Sequence, residues 1–547
     1  MNKHHYVMGL LLWLTNSAAM AGSGYVFEDL NGNGLRDADE PGLAGVRVSD
    51  GLQIVKTDDD GRWQMDIAEQ AVIFVIKPTG YATPVNEHQI PQFYYIHQPM
   101  GSAPGLRYPG VEPTGPLPDS VDFALRKQQE PSVFEAILFA DTQPQTEAEL
   151  DYIRDSVVQE LVGTSAKFGM TMGDVLFDDM SMFPRLNALI AQIGVPWYNV
   201  PGNHELNLLA DDDAGSLETF KRHFGPSYYT FEYGGAHFFV LDNIEYKGNG
   251  ESDPADVRGS GGYIANFGAR QLAWMRRALQ DVPEDALIFM GMHSPLETYI
   301  SDRDSVTTQD RKELFKLLSG RKHLYAVAGH THTTEHRYFG KADGFRGPGE
   351  FHHHVLATVS GSWWSGPFND EGIPVSWQRD GTPNGYHVLQ VDGNQVSVRF
   401  KGAGRPADYQ MRIMYDVAHH TLRADALRDY REGELLDGRM ALRQVPQASV
   451  LVNLFDGGPK SQVYFSVAGR AEQAMQRVTR IDPKILESFT RHQATRKSWV
   501  QATASSHLYE ADLPDDLPVG VYTLSVRAVD EFGQTHHGHS ILEITDS

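Results

Sequence analysis

Val195-Pro196-Trp197-Tyr198-Asn199-Val200 runs into Pro201-Gly202-Asn203-His204-Glu205, and Leu324-Tyr325-Ala326-Val327-Ala328 runs into Gly329-His330-Thr331-His332. Three more apolar runs end the same way. Ala136–Ala140 meets Asp141-Thr142-Gln143, Phe168–Met172 meets Gly173-Asp174, and Leu287–Met292 meets His293-Ser294-Pro295. Short continuous apolar runs of this kind read as buried strands of a mostly parallel sheet. The segments between them, Thr146–Leu161 and Ala269–Leu279, carry helical periodicity, so the region is α/β. Ligands in such folds bind at the carboxyl ends of the strands, and five strands delivering Asp, Asn and His to one edge would build a metal site there.

Outward from this region the pattern changes. Residues 22–88 alternate short apolar runs with turns (Gly24–Phe27, Val46–Val48, Trp63–Met65, Val72–Ile76) and read as a small β-sandwich. Residues 89–131 are rich in Pro and Gly and read as a surface connection. The α/β domain takes residues 132–396. Alternating strands return over 397–547, as in Val450–Phe455, Gln462–Val467 and Gly520–Val529, and predict a second β-sandwich. At 547 residues the chain has the length of three or four domains at about 150 residues each. Ahead of them, Lys3, the apolar run Val7–Leu14 and Ala19-Met20-Ala21 read as a signal peptide over residues 1–21, cleaved after Ala21. Export, with the periplasm as its address, is the expectation, and the mature chain contains no apolar stretch of about 20 residues that would span a membrane.

Composition narrows the chemistry. A formal net charge of −24 disfavours nucleic acid as a partner, since a phosphate backbone would be repelled. With no cysteine, disulfides, thiolate metal sites and cysteine nucleophiles are excluded. The strand-end ligands are therefore carboxylate and amide oxygens and imidazole nitrogens, a set suited to Mn²⁺, Fe, Zn²⁺ or Mg²⁺. There are more of them than one catalytic ion uses while keeping an open position. Two ions sharing a carboxylate fit better, and such a pair can clamp a phosphoryl group and generate hydroxide.

The Gly-Asp, Gly-Asn-His-Glu and Gly-His-Thr-His elements, in this order, resemble those of the calcineurin-like metallophosphoesterase family across roughly residues 132–395. Gly361-Ser362-Trp363-Trp364-Ser365-Gly366 and Asp380–Tyr386 look like a bacterial branch with accessory N- and C-terminal β domains. The resemblance implies a phosphoesterase core of β-sandwich sheets flanked by helices. It implies a dinuclear metal-dependent hydrolase that cleaves a phosphomonoester, phosphodiester or pyrophosphate bond with a metal-bridging hydroxide. Asp174 would bridge two divalent ions. Asp141 and His332 would hold the first, and Asn203, His293 and His330 the second. His204 would act as general acid, oriented by Glu205. The family's first motif usually reads Asp-x-His, but here it is Asp141-Thr142-Gln143. A minority of members, including ones similar to manganese-dependent ADP-ribose and CDP-alcohol diphosphatases, carry Gln there, and an amide oxygen from Gln143 would favour Mn²⁺ or Mg²⁺ over Zn²⁺. The substrate would be a phosphorylated small molecule, lipid or glycan.

Other signals are weaker. Asp29-Leu30-Asn31-Gly32-Asn33-Gly34-Leu35-Arg36-Asp37-Ala38-Asp39-Glu40 has the spacing of a calcium loop. Asp29, Asn31, Asn33, Asp37 and Glu40 would supply side-chain oxygens and Leu35 its carbonyl. A calcium-binding, non-catalytic exported surface protein with a degenerate phosphoesterase core is therefore the rival function. Trp363 and Trp364 would either stack on substrate or pack a loop. His352-His353-His354 lies in a strand-like run whose side chains alternate, so the three cannot chelate one ion. Asp178 and Asp179 read as a solvated or supporting pair, and Asn243–Gly262 as a mobile loop beside the site.

Overall fold

The computed structural model describes residues 20–248, 262–416, 435–436 and 438–546. Two sheets form the centre. One has five strands in the order Trp197–Val200, Gly169–Met172, Val133–Phe139, Gly385–Asp392 and Gln395–Gly402. Its first three strands are parallel and its last two close as an antiparallel hairpin. The other has six strands in the order Tyr229–Tyr233, Ala236–Val240, Leu287–Gly291, His323–Ala328, Phe351–Val355 and Glu335–Phe339. Its four middle strands are parallel. Their inner faces share one core in which Leu138, Met170, Phe168, Phe238, Phe289 and Val327 are buried. Helices Glu147–Ile153 and Phe183–Ile190 pack on the outer face of the first sheet through Leu150, Ile153 and Leu186. Thr146 caps the first of these by accepting from the Glu149 N–H. This is the expected sandwich of sheets flanked by helices.

The N-terminal domain pairs two four-stranded sheets. Residues 89–131, read from sequence as a connection, instead supply strands to both. Tyr94–His97 pairs with Ala71–Val75, and Phe123–Lys127 lies parallel to Met20–Glu28. Both strands are short and sit among Pro and Gly residues, so their alternation is hard to see. The C-terminal domain is a sandwich of two five-stranded sheets with one added helix, Pro483–Arg491, capped by Asp482. The boundary placed at 396/397 falls inside strand Gln395–Gly402, which belongs to the core sheet. Residues 1–19, which hold nearly all of the expected signal peptide, lie outside the described residues, as do 249–261 of the expected mobile loop. The flanks of that loop pair as an antiparallel ribbon, Ile244–Tyr246 with Tyr263–Ala265. Among the described residues no helix is long and apolar enough to cross a membrane.

Buried polar contacts dock the N-terminal domain on the core. Lys77 donates to Glu130 Oε1 (2.6 Å) and to the Glu232 carbonyl (2.6 Å), with both ionic side chains nearly inaccessible. Arg47 pairs with Glu232 Oε1 at 2.8 Å, and Trp274 Nε1 donates to Ser49 Oγ. Removing one partner of a buried pair leaves an uncompensated charge, which costs about 3–5 kcal/mol, whereas replacing both by apolar groups is often near neutral. Glu130→Ala should therefore lower stability in denaturant unfolding by about that amount, and Lys77→Met/Glu130→Leu by clearly less.

Candidate metal centre

The loops that leave the parallel strands are tied to one another by their backbones. Gln143 N–H donates to the Asp174 carbonyl (3.2 Å), Gly329 N–H to the His293 carbonyl (3.0 Å), and Ser360 N–H to the Asp141 carbonyl (3.1 Å). Ten non-glycine residues have positive φ among those described, and eight of them belong to these loops: Asp141, Gln143, Asp174, Asp178, His330, His332, Trp363 and Trp364. Left-handed backbone at such residues costs of order 1–3 kcal/mol each and persists where the surroundings enforce it. Here it turns polar side chains inward at the sheet edge.

Asp174 lies at the middle. Four donor atoms cluster on its Oδ1 side. His293 Nε2 is 3.2 Å from Asp174 Oδ1, 3.1 Å from Asn203 Oδ1 and 3.0 Å from His330 Nδ1. On the other side, Gln143 Nε2 donates to Asp174 Oδ2 at 2.8 Å, and His332 Nε2 lies 3.6 Å from Asp141 Oδ1. His293 donates from Nδ1 to the Met172 carbonyl (2.9 Å) and His332 from Nδ1 to the Gly361 carbonyl. Each of these rings thereby turns Nε2 to the site. Asp141, Gln143, Asp174, Asn203, His293, His330 and His332 are thus brought to one place, in two groups that share Asp174. The buried Oε1 of Gln143 has no hydrogen-bond partner, as expected of an oxygen that serves a cation. The donor set fits a pair of divalent ions.

Electrostatics agree with that fit. Burial favours the neutral form of Asp174, but the facing His293 and His204 outweigh it and hold the carboxyl well below its usual range. Burial pushes Asp141 up to about 8, helped by the negative Asp174. Burial opposes charge on His293, yet Asp174 raises it to about 9. Burial brings His330 down to about 3, reinforced by His293, and likewise brings His332 to about 3. The metal-free cluster therefore balances one carboxylate with one imidazolium and keeps the other imidazoles neutral, the form in which they ligate.

His204 stands beside Asp174, with Nε2 3.9 Å from Asp174 Oδ2. Its Nδ1 donates to Asp178 Oδ1 at 2.7 Å, and its ring stacks on Phe177 with centroids 4.3 Å apart. Burial acts to lower the His204 pKa, but Asp174 and Asp178 prevail and raise it. The expected orienting role of Glu205 is corrected here. Its carboxylate accepts the Leu176 and Gly202 N–H groups (3.0 and 2.8 Å), joining two site loops, and Asp178 orients the imidazole. Asn243, read from the sequence as the first residue of a mobile loop, has a role that the sequence did not reveal. Fully buried, it accepts from the His293 and Ser294 N–H groups (3.2 and 3.1 Å) and so holds the His293 loop. Trp364 is buried and donates from Nε1 to the Thr142 carbonyl, so it packs a loop. Trp363 stacks on His332, centroids 3.7 Å apart, and supports a ligand with that face. In the N-terminal loop, Asp29 accepts from the Gly32 and Gly34 N–H groups, Glu40 from those of Leu30 and Asp37, and Asp37 Oδ2 from the Asn31 and Asn33 amides. The six expected calcium positions share one loop.

Three glycines back the cluster. A Cβ at Gly329 would stand 2.1 Å from Asp141 Oδ2, one at Gly202 2.3 Å from Asp174 Oδ1, and one at Gly173 2.5 Å from His293 Nδ1. Gly329 has an ordinary φ, so Gly329→Ala should act chiefly by displacing Asp141, with a lesser contact to Ala140 Cβ at 3.0 Å. Isothermal titration is expected to show Mn²⁺ affinity lowered by about 10–100-fold, with the melting temperature of the metal-free protein little changed. Metal binding at pH 7 should also release protons, since Asp141 and His293 hold theirs in the metal-free cluster. Titration heats in buffers of different ionisation enthalpy will report net release, and heats independent of buffer would contradict this charge balance.

Comparison with known proteins follows the same lines. The sequence matches the family model for calcineurin-like phosphoesterase over residues 137–334. It matches those for the N terminal of calcineurin-like phosphoesterase over 30–106 and the C terminal of calcineurin-like phosphoesterase over 353–536. No curated protein matches. Among solved structures, the chain is similar to a dimetal phosphatase from Danio rerio at 16% identity, over 49% of this chain and 96% of that one, with a TM-score of 0.34. It is similar to purple acid phosphatase PPD1 from yellow lupin (Lupinus luteus) seeds at 15% identity, over 66% and 67%, with a TM-score of 0.36. It is also similar to PhoD at 11% identity, over 70% and 87%, with a TM-score of 0.34. Through its central, N-terminal and C-terminal matches, the chain belongs to the calcineurin-like phosphoesterase family, whose members are metal-dependent phosphoesterases.

Proposed function

We propose that the protein is a dinuclear metal-dependent phosphoric ester hydrolase, active on a phosphomonoester, phosphodiester or pyrophosphate bond. One observation carries this reading: Asp174 turns its two carboxylate oxygens to two separate donor groups, one of which includes the unpartnered Gln143 Oε1. Asp141, Gln143, His332 and Asp174 would hold one ion, and Asp174, Asn203, His293 and His330 the other. When bound, such ions neutralise charge on a phosphoryl group and supply hydroxide at neutral pH. The amide and carboxylate oxygens of the first group favour Mn²⁺, with Fe, Zn²⁺ and Mg²⁺ as alternatives. In a chain of net charge −24, the ions would also provide the local positive field that an anionic substrate needs.

The chain's own residues supply the proton. Asp178 holds His204 by Nδ1 and Phe177 covers one ring face, so the imidazolium presents Nε2 to the substrate side. It donates that proton to the departing oxygen, and general acid catalysis of this kind contributes about 10²–10⁴-fold. On the same side, Trp499 of the C-terminal domain lies against Phe177, centroids 5.9 Å apart, and is 47% exposed. The leaving group would meet an aromatic surface there. Export to the periplasm and calcium at Asp29–Glu40 complete the proposal, and a phosphorylated small molecule, lipid or glycan is the substrate class.

Hydrolysis of p-nitrophenyl phosphate and bis(p-nitrophenyl) phosphate by Mn²⁺-loaded protein tests the reading. Activity should appear, and Asp174→Asn should remove at least 100-fold of it, in the range of losses for groups that stabilise transition-state charge. Failure with every divalent ion would favour the non-catalytic surface-protein reading. The general-acid role has its own test. His204→Ala should lower kcat by about 100-fold or more for alkyl phosphates, which need the proton, and by much less for nitrophenyl esters, which do not. Asp178→Asn should show the same leaving-group dependence in milder form, and equal losses across leaving groups would contradict the assignment.

A further inference from the structure

A second cluster of metal-type side chains lies away from the strand edge, where both core sheets meet the C-terminal domain. His336 and His354 are directly paired residues on antiparallel strands Glu335–Phe339 and Phe351–Val355. His387 comes from Gly385–Asp392 in the other core sheet, and Asp456 follows the C-terminal strand Ser449–Leu454. The three histidines are fully buried and Asp456 nearly so. All three turn Nε2 to one atom, Asp456 Oδ1, at 2.8 Å (His354), 3.4 Å (His387) and 3.5 Å (His336). His336 Nε2 is also 3.2 Å from the Asp456 carbonyl oxygen.

This spacing is unusual for donors on an acceptor. Two of the three distances exceed the ordinary 2.7–3.2 Å of an N–H···O bond. Ligand atoms of His336, His354 and Asp456 lie within 4.8 Å of one another, near enough to converge on one zinc ion at about 2.0–2.1 Å. The outer nitrogens of two rings are arranged as they are around bound metals. His354 Nδ1 meets the Tyr325 hydroxyl at 2.7 Å, and His336 Nδ1 meets His352 Nε2 at 2.9 Å. His387 Nδ1 is buried without a partner, and its Nε2 makes a long hydrogen bond to Asp456 Oδ1 at 3.4 Å. His353, on the opposite face of its strand, accepts from the Leu296 N–H instead, in keeping with the alternation of the His352–His354 run.

We propose that His336, His354 and Asp456 bind a zinc ion in a buried, structural site that staples the C-terminal domain to the catalytic core, with His387 packed beside it. Imidazole nitrogen and carboxylate oxygen are ligands that zinc takes, and the burial of all three residues keeps substrate from the ion. The chain has no cysteine, so no disulfide can make this link, and metal binding would add directly to the stability of the assembled domains. None of the three residues belongs to the cluster around Asp174, so the site stands or falls separately from the hydrolase reading.

The test uses the full chain. Crystals soaked in ZnCl₂ and measured above and below the zinc absorption edge should show an anomalous peak between these three side chains. Absence of that peak overturns the proposal, whatever is found at the strand edge. In solution, Asp174→Asn protein desalted after zinc loading should retain one tightly held equivalent, which Asp174→Asn/His354→Ala should lose together with the zinc-dependent rise in melting temperature. Equal zinc content in the two variants would refute the site. Should the double variant fail to fold, the diffraction measurement on the unmodified protein decides alone.

Discussion

A carboxylate whose two oxygens face different partners is the constraint on which the core depends. Asp174 sits buried at the end of strand Gly169–Met172 with imidazole, amide and a second carboxylate around it. A buried negative charge is tolerated only when paired and hydrogen-bonded. The protein meets that condition by drawing the cationic form of His293 and the raised His204 to the same point. Divalent ions meet it more completely, and the loops are shaped accordingly. Both sheets must lie in register for candidate ligands from five strand ends to converge, so the short parallel strands and their shared aromatic core are best understood as the support for this one charge.

Holding that arrangement has a conformational cost. Eight non-glycine residues around the cluster are in left-handed backbone, and glycines precede Asp174, Asn203 and His330 where a side chain would collide with a ligand. The strain is offset by backbone hydrogen bonds between loops and by side chains such as Asn243 and Glu205, each of which ties two segments together. The C-terminal domain takes part as well. Asp380, just after the core loop carrying Trp363 and Trp364, accepts from the Thr334 N–H and from His507. The His330–His332 loop is thereby linked to a domain more than a hundred residues away in sequence.

Much of this was legible in the sequence. Buried parallel strands read as continuous apolar runs, and a metal site demands particular donors at their ends, so the five clusters and their seven candidate ligands stood out. What was read only in part had no local signature. Asp178, read as a solvated or supporting residue, is one carboxylate among many and acquires its role only when the fold places it against the His204 ring. Adjacency suggested Glu205 for that task, but its side chain turns back to cap two loops. Asn243 lies behind His293 only because strands Ala236–Val240 and Leu287–Gly291 are neighbours. Strands Tyr94–His97 and Phe123–Lys127 are too short to announce themselves. The buried group around Asp456 gathers residues spread over 121 positions, as the separation of His336 from its Asp456 contact already implies.

Diffraction from crystals loaded with Mn²⁺, recorded at the manganese absorption edge, measures the central claim most directly. The account predicts two peaks about 3.5–4 Å apart, one on each side of Asp174, with Gln143 Oε1 turned to the nearer ion on its side. A single peak, or two that do not share Asp174, would contradict it.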